Sequence, residues 1–350
     1  MAFHAGVLRF LAERQAMERV TNISSVSGGS LLVGLLMHLN GNEWPTSNQY
    51  LEKSLSQLRN VLTTTSLESG MWQELQRPAN WKYALSRANI LARAIENTWG
   101  IKSTLDDLQS KPSWSINATT AETGKRFRFK DGELRDWVLG TARTEKFPLS
   151  DAMAVSAAFP GLIGPYVLNS GAYEWDLPIY GVTENTRPTH ERFKKLHLYD
   201  GGVYDNLGLE AFFDAARGPK LGMEGTIVVS DAGAPLPTGF DLGELNLYRL
   251  KHVADIMSDQ IRSLRVRGLV AHALKAPGNA AYLRIGSTAD EFARQFDVSC
   301  PEGAWMTKEE TATASTFPTR LMKLTQANFD MLERNGYEAA AVGTAAFHFV

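Results

Sequence analysis

Two short segments carry residue types and spacing that could break an acyl bond. Thr21 to Asn40 reads TNISSVSGGSLLVGLLMHLN, a β-rich start, a Ser/Gly turn and then an apolar run. A serine hydroxyl is a weak nucleophile, so it needs a base and donors for the oxyanion that forms. A sharp strand-to-helix turn at Ser27 would lift the hydroxyl off the strand end and aim free helix N–H groups at the substrate oxygen. Such a turn wants small neighbours. Ser25 and Gly29 flank Ser27 at two residues' distance, with Ser25 where the usual first glycine of G-x-S-x-G would stand, and Gly28 follows as an oxyanion donor. By itself the pattern also fits an ordinary Ser/Gly turn or an anion site at a helix start. Neither G-x-x-x-x-G-K-[ST] nor G-x-G-x-x-G occurs here.

The base is sought in LHLYDGGVYDNLGLEAFF. Asp200 closes a strand and is followed by Gly201 and Gly202, which allow close backbone approach. The C-terminal strand edge of a parallel α/β sheet is where ligands bind. Alone, D-G-G reads first as a turn aspartate satisfied by its own backbone. Asp231 in TIVVSDAGAP is the rival and ranks as a supporting residue. A third arrangement, Ser27 with Asp200 and His252 or His272, follows α/β-hydrolase chain order, but at most one strand precedes Ser27 whereas that fold needs several.

The elements that must hold these residues follow from periodicity. Ala2 to Met17 is expected to be helical, Val20 to Val26 a strand, and Gly28 to Leu39 a buried helix. Ser47 to Asn97 is mostly helical. SWSINATTAETGKRFRFKDGEL reads as two strands joined at Thr123-Gly124. A small-residue helix spans Ser150 to Ala158, and Leu196 to Tyr199 is a strand. Leu207 to Arg217 is expected to be a helix capped by Asp205 or Asn206. Thr226 to Ser230 is a buried strand, Leu242 to Leu274 a long helix and Tyr282 to Ile285 a strand. Two helices, Arg320 to Arg334 and Glu338 to Ala346, close the chain. Alternating strands and helices imply an α/β fold with a mainly parallel sheet. The 350 residues are taken as one domain, 1–350, with a cap-like helical region at 44–110 and an irregular insertion at 164–190 that holds Trp175 and Tyr180.

Composition narrows the function classes. The chain is 44% hydrophobic and 21% charged with net charge −2, an ordinary globular balance. No basic run supports a nucleic-acid partner. One cysteine, Cys300, cannot form an internal disulfide and reads as an incidental thiol; no Cys/His metal spacing occurs. No segment reaches the ~18 apolar residues of a membrane span. MAFHAGVLRFLAERQ does not read as a signal peptide, because Arg9 and Glu13 interrupt it.

SSVSGGS and YDGGVYDNLG together resemble the patatin-like phospholipases of bacterial type. HAGVLRFLAE, INATTAETGKRFRF, LSDAMAVSAAFPGLIGPY and PTRLMKLTQANFDMLERNGYEAA extend the likeness over most of the chain. The resemblance implies a three-layer α/β/α sandwich and a Ser–Asp dyad, Ser27 with Asp200, that hydrolyses acyl esters of lipids through an acyl-enzyme. It implies no metal or organic cofactor. Family members also carry a G-G-G-x-[RK] loop, after a first strand and before the helix that opens this sequence. From Met1 onward neither is present, so the first strand and oxyanion loop are expected to be missing. Activity would be impaired in this form unless the true start lies upstream, which is the favoured reading. The expected partner is a lipid or acyl-ester substrate with transient membrane-surface contact, in the cytoplasm or peripheral to a membrane. The Trp-bearing region and the 164–190 segment are candidates for the lipid-facing rim, with Trp72 as the exposed anchor. The competing readings are a non-catalytic binding or regulatory protein of the same fold and a soluble esterase or thioesterase.

Overall fold

The structure is a computed structural model that describes residues 1–84, 86–161, 163–176, 189–236, 238–240, 246 and 248–350. The chain folds into two compact units. The first comprises residues 1, 11–204 and 319–329; the second comprises 2–10, 205–318 and 330–350.

The opening helix α1 (Ala2–Glu13) contributes to both units. In the first unit, β1 (Asn22–Ser25) leads through the Ser27 turn into α2 (Gly28–Leu39). Residues Ser30 to Met37 of α2 are all buried, as the continuous apolar run requires. Next come α3 (Ser47–Gln49), α4 (Leu55–Thr64), α5 (Leu67–Leu75) and α6 (Arg87–Trp99), which occupy the expected helical region. The strands β2 (Ser113–Thr120), β3 (Arg126–Lys130), β4 (Glu133–Asp136) and β5 (Gly140–Arg143) then form a meander. The helix α7 (Leu149–Ser156) is buried along its whole length and lies so close to α2 that a Cβ on Gly34 would sit 2.3 Å from the Met153 sulfur. After it come β6 (Tyr166–Asn169), β7 (Trp175–Asp176), α8 (Thr189–Arg192) and β8 (Lys195–Asp200). Both β6 and β7 join the sheet; residues 177–188 of the expected insertion, Tyr180 among them, lie outside the described residues. Trp114, Ile116, Phe127, Phe129, Phe147 and Trp175 belong to one buried cluster on this sheet.

The class is α/β, but the expected mainly parallel sheet is corrected. Strand order is β6-β8-β2-β3-β4-β5-β7, with β1 added beside β2. Among the described residues β1–β2 is this sheet's only parallel pair. The links 121–125, 131–132 and 137–139 are too short for the crossover that parallel pairing demands. The 131–132 link is a two-residue hairpin, with Asp131 at φ 52° and Gly132 at φ 75°. That turn adds β4, a third strand where two are expected.

The second unit follows the short helix α9 (Gly202–Asp205) and holds a two-residue strand pair, β9 (Phe213–Asp214) with β10 (Gly218–Pro219). The helix expected over Leu207–Arg217 does not form. The Asp205 carboxylate accepts from the Leu207 and Glu210 N–H groups, Gly208 sits at φ 63°, and the Asp214 carboxylate accepts from Ala216 and Arg217 N–H. These side-chain-to-backbone bonds compete with helical pairing and win. Then β11 (Ile227–Asp231) pairs in parallel with β12 (Ala280–Arg284) across the long helix α10 (Tyr248–Lys275). The chain closes with α11 (Ala289–Phe296), α12 (Lys308–Ser315) and α13 (Gln326–Phe347). The two expected closing helices are one. Gly336, in the gap between the two expected helices, is there for space: a Cβ on it would lie 1.8 Å from the Phe3 carbonyl, and one on Gly6 would lie 1.8 Å from the Glu333 carbonyl.

Candidate active site

Two strand ends meet head to head on one edge of β2. Parallel β1 occupies the first half of that edge and ends with Ser25 opposite Ile116. Antiparallel β8 occupies the second half and ends with Asp200 opposite Ala118. Their C-terminal ends therefore converge on Asn117. Asp200 reaches this place by antiparallel convergence, not from the C-terminal edge of a parallel sheet as the sequence reasoning supposes.

Asn117 ties the two ends together. Its Nδ2 donates to the Ser25 carbonyl at 2.9 Å and to Ser24 Oγ at 2.9 Å. Its own carbonyl faces Gly201, where a Cβ would come within 2.5 Å of the oxygen and 2.8 Å of Val26 Cγ1. A side chain at 201 would collide with backbone that cannot swing away.

A second tie comes from the end of α7. The Ser156 carbonyl accepts from the Ser27 N–H at 3.0 Å and from the Gly201 N–H at 3.4 Å, one oxygen between the serine turn and the aspartate loop. The Ser156 hydroxyl donates to the Asn117 carbonyl at 2.7 Å and lies 2.8 Å from Ser30 Oγ, which in turn lies 2.8 Å from Ser25 Oγ. Trp114 Nε1 donates to Ser25 Oγ at 2.8 Å and ends the chain. These buried hydroxyls are mutually satisfied, as a rigid polar network in a core must be. Ser25 is thus more than a small residue beside the turn: its hydroxyl anchors β1 to α2. Ser30, Trp114, Asn117 and Ser156 fall in segments quoted above, but their roles escape sequence reasoning because the bonds join distant parts of the chain.

Ser27 adopts φ 50° and ψ −126°, a conformation that costs a non-glycine residue about 1–3 kcal/mol. It is half-buried and precedes α2. The Gly29 N–H bonds back to the Val26 carbonyl, and the Ser30 and Leu31 N–H groups go to the Ser27 carbonyl. The Gly28 N–H donates to no acceptor among the described residues, so a first-turn donor is left open beside the serine. Gly29 has ordinary room: a Cβ there would be 3.8 Å from Ser25 Cβ.

Asp200 is buried, and Oδ1 accepts from the Gly202 N–H at 2.7 Å. Gly202 thus contributes through its backbone. Oδ2 is buried and has no hydrogen-bond partner at ordinary distance. Burial pushes the carboxyl up to about 6, opposed by the Gly202 N–H and by the Ser27 hydroxyl, which is near enough to favour the charged form without completing a bond to Oδ2. A base that titrates near neutrality, with one open oxygen toward a serine on a strained turn, is equipped to take that serine's proton.

The rivals are differently placed. The Asp231 carboxylate is saturated by the Gly233 N–H, Arg262 and the Tyr282 hydroxyl, a structural clamp at the end of β11. His252 packs on Phe240 and His272 on Phe213, all in the second unit. Two open depressions are lined elsewhere, one of about 520 Å³ by Asp290, Arg294 and Cys300 and one of about 440 Å³ by Asp106, Glu133 and Arg143; neither takes in Ser27 or Asp200. No helix among the described residues is long and apolar enough to cross a membrane.

The model of one protein family, described as patatin-like phospholipase, matches residues 1–213, well over half of the 350. That span takes in both Ser27 and Asp200. No curated protein matches the chain.

Proposed function

The chain belongs to the patatin-like phospholipases, and from that premise we propose that it hydrolyses acyl esters of lipids with Ser27 as nucleophile and Asp200 as base. Asp200 Oδ2 takes the proton from Ser27 Oγ as that oxygen attacks the ester carbonyl carbon. The carbonyl π electrons move onto oxygen, and the Gly28 N–H donates to the resulting oxyanion. Collapse of the tetrahedral adduct breaks the C–O bond to the alcohol portion, which leaves with the proton held by Asp200. Water then gives a proton to Asp200 and attacks the acyl-enzyme. The second collapse expels Ser27 Oγ, which recovers its proton, and a fatty acid departs.

The observation that carries this reading is the convergence of β1 and β8 at Asn117, with the Ser156 carbonyl shared by the Ser27 and Gly201 N–H groups. An antiparallel sheet has no general reason to bring two strand C-termini together, and here the pair brought together is a strained serine and a buried carboxyl. Phospholipase A or lysophospholipase activity is the proposed form, because the family is one of phospholipases. The 350 residues are proposed to act as a single domain, since α1 and α13 each run from one compact unit into the other. The test is fatty-acid release from diacyl and monoacyl phospholipids by the native chain and by Ser27→Ala. Release by the native chain alone supports the reading; equal release by both proteins, or none by the folded native chain, overturns it.

A further inference from the structure

Most tryptophans of the first unit are tied into the fold. The indole of Trp44 bonds the Met17 carbonyl, that of Trp99 the Thr65 hydroxyl, and those of Trp114 and Trp175 are buried. Trp137, in the 137–139 link, is 62% exposed; Trp72 and Trp81 are 65% and 64% exposed. The latter two stand on the same corner, where α5 turns into the short helical stretch Pro78–Tyr83. Trp81 Nε1 donates to the Leu75 carbonyl at 3.1 Å, and the Gln76 N–H donates to the Trp72 carbonyl.

That corner is held rigidly. The Glu74 carboxylate is buried and accepts from Asn97 Nδ2 of α6 at 2.9 Å, from Asn80 Nδ2 at 2.8 Å and from Arg77 at 2.9 Å. Gly70 lets α5 lie close on α6, where a Cβ would come 2.4 Å from Thr98 Oγ1. Two large aromatic rings are thus presented to water on a braced support. A rigid surface loses little conformational entropy when it binds.

The chemistry of the corner selects its partner. The only polar atom of the Trp81 ring is already bonded to Leu75, so the ring can enter an apolar medium with no unmet donor. The Trp72 N–H has no partner among the described residues and suits a half-wet position at ester and phosphate level. From Gln73 to Ala84 every exposed residue is uncharged or cationic, the cations being Arg77 and Lys82, because the one carboxylate of that stretch is buried; the nearest exposed acid on α5 is Glu68, one turn back. Aromatic rings with satisfied or headgroup-level polar atoms, beside cations, match the interface of an anionic phospholipid bilayer.

We propose that the Trp72–Trp81 corner is the surface by which this protein docks on phospholipid membranes. The inference rests on the proposed function only for the reason to dock, namely that the substrate lies in the bilayer. It is tested by co-sedimentation with phosphatidylcholine vesicles, with and without phosphatidylserine, using the native chain, Trp72→Ala and the Trp72→Ala/Trp81→Ala pair. Hydrolysis of vesicle lipid and of a short-chain, water-soluble ester is followed on the same proteins. The expected result is vesicle affinity roughly tenfold lower for Trp72→Ala and lower still for the pair. Phosphatidylserine should strengthen native binding, and turnover of the soluble ester should be unchanged. Trp72→Ala removes no bond within the described residues, so its loss of affinity cannot be laid to unfolding. Vesicle binding unchanged in the pair overturns the proposal, and so does a loss of self-association or of protein-partner binding in its place. Vesicle binding that depends on the two tryptophans, with neither ester hydrolysed, would uphold the docking surface and overturn the proposed function instead.

Discussion

Gly201→Ala is the substitution that bears most directly on how the site is assembled. The glycine is not required for a left-handed turn; it is required because the chain passes so close to β2. An alanine Cβ would lie 2.5 Å from the Asn117 carbonyl oxygen and 2.8 Å from Val26 Cγ1. Ordinary van der Waals contact begins near 3.4 Å, so something must move by about 0.5–1 Å. The Asn117 carbonyl is held by the Ser156 hydroxyl and lies within a β ladder, so the Asp200 loop must give way. Overpacking of this kind costs about 1–3 kcal/mol of stability. A displacement near 1 Å between base and nucleophile costs on the order of 10²-fold in rate. The assay pairs urea unfolding with turnover of a chromogenic short-chain ester, and Gly29→Ala serves as comparison because its Cβ meets Ser25 Cβ at an unforced 3.8 Å. Gly201→Ala should lose about two orders of magnitude in kcat with a lowered unfolding midpoint, while Gly29→Ala stays within a few-fold of native. Native turnover and stability in Gly201→Ala would refute the reasoning that the two strand ends are locked at Asn117.

Asp200 links activity and stability through pH. The folded carboxyl keeps its proton to about pH 6, whereas the unfolded chain releases it near 3.8, so between those values the folded state binds more protons and stability falls as pH rises. The cost above that window is on the order of 3 kcal/mol, so Asp200→Asn should be inactive yet about 1–3 kcal/mol more stable than native at pH 8, with the gap closing toward pH 4 by thermal or urea unfolding. In the native protein kcat/KM should rise with pH and level off above about 6, as the base form fills. Ser27→Gly should be more stable than Ser27→Ala by about 1 kcal/mol in calorimetry, because only glycine adopts φ 50°, ψ −126° without strain. Ser156→Ala keeps the carbonyl shared by Ser27 and Gly201 but strands the Asn117 carbonyl and takes from the Ser30 hydroxyl one of its two hydroxyl partners, and should cost about 1–3 kcal/mol in urea unfolding.

Local signals carried much of the fold. Polarity patterns located β1, α2, α7, β8, β11 and β12 within a few residues, and both candidate reactive residues stand out by their glycine and serine neighbours. What the sequence could not disclose is pairing. Nothing local in Lys195–Asp200 says that it runs antiparallel to β2, and the parallel expectation follows from counting alternating elements rather than measuring links. The KDGEL hairpin was readable, since Asp-Gly is a strong signal for a two-residue turn. The Leu207–Arg217 error shows apolar spacing outcompeted by Asp205 and Asp214, whose carboxylates claim the backbone N–H groups a helix would use. The gap expected between Arg334 and Glu338 errs in the opposite direction: the helix runs through it, and Gly336 there serves close packing. The hydroxyl chain Ser25–Ser30–Ser156 joins residues up to 126 positions apart, with no pattern by which sequence could connect them.

The central claim, a serine activated by a buried aspartate, is tested most directly by reaction with a fluorophosphonate and identification of the modified residue by mass spectrometry. The native chain should carry the phosphonyl group on Ser27, Ser27→Ala should carry none, and Asp200→Asn should react at least ~10²-fold more slowly. A folded native protein left unmodified, or equal labelling of Ser27 with Asp200→Asn in place, would contradict the dyad.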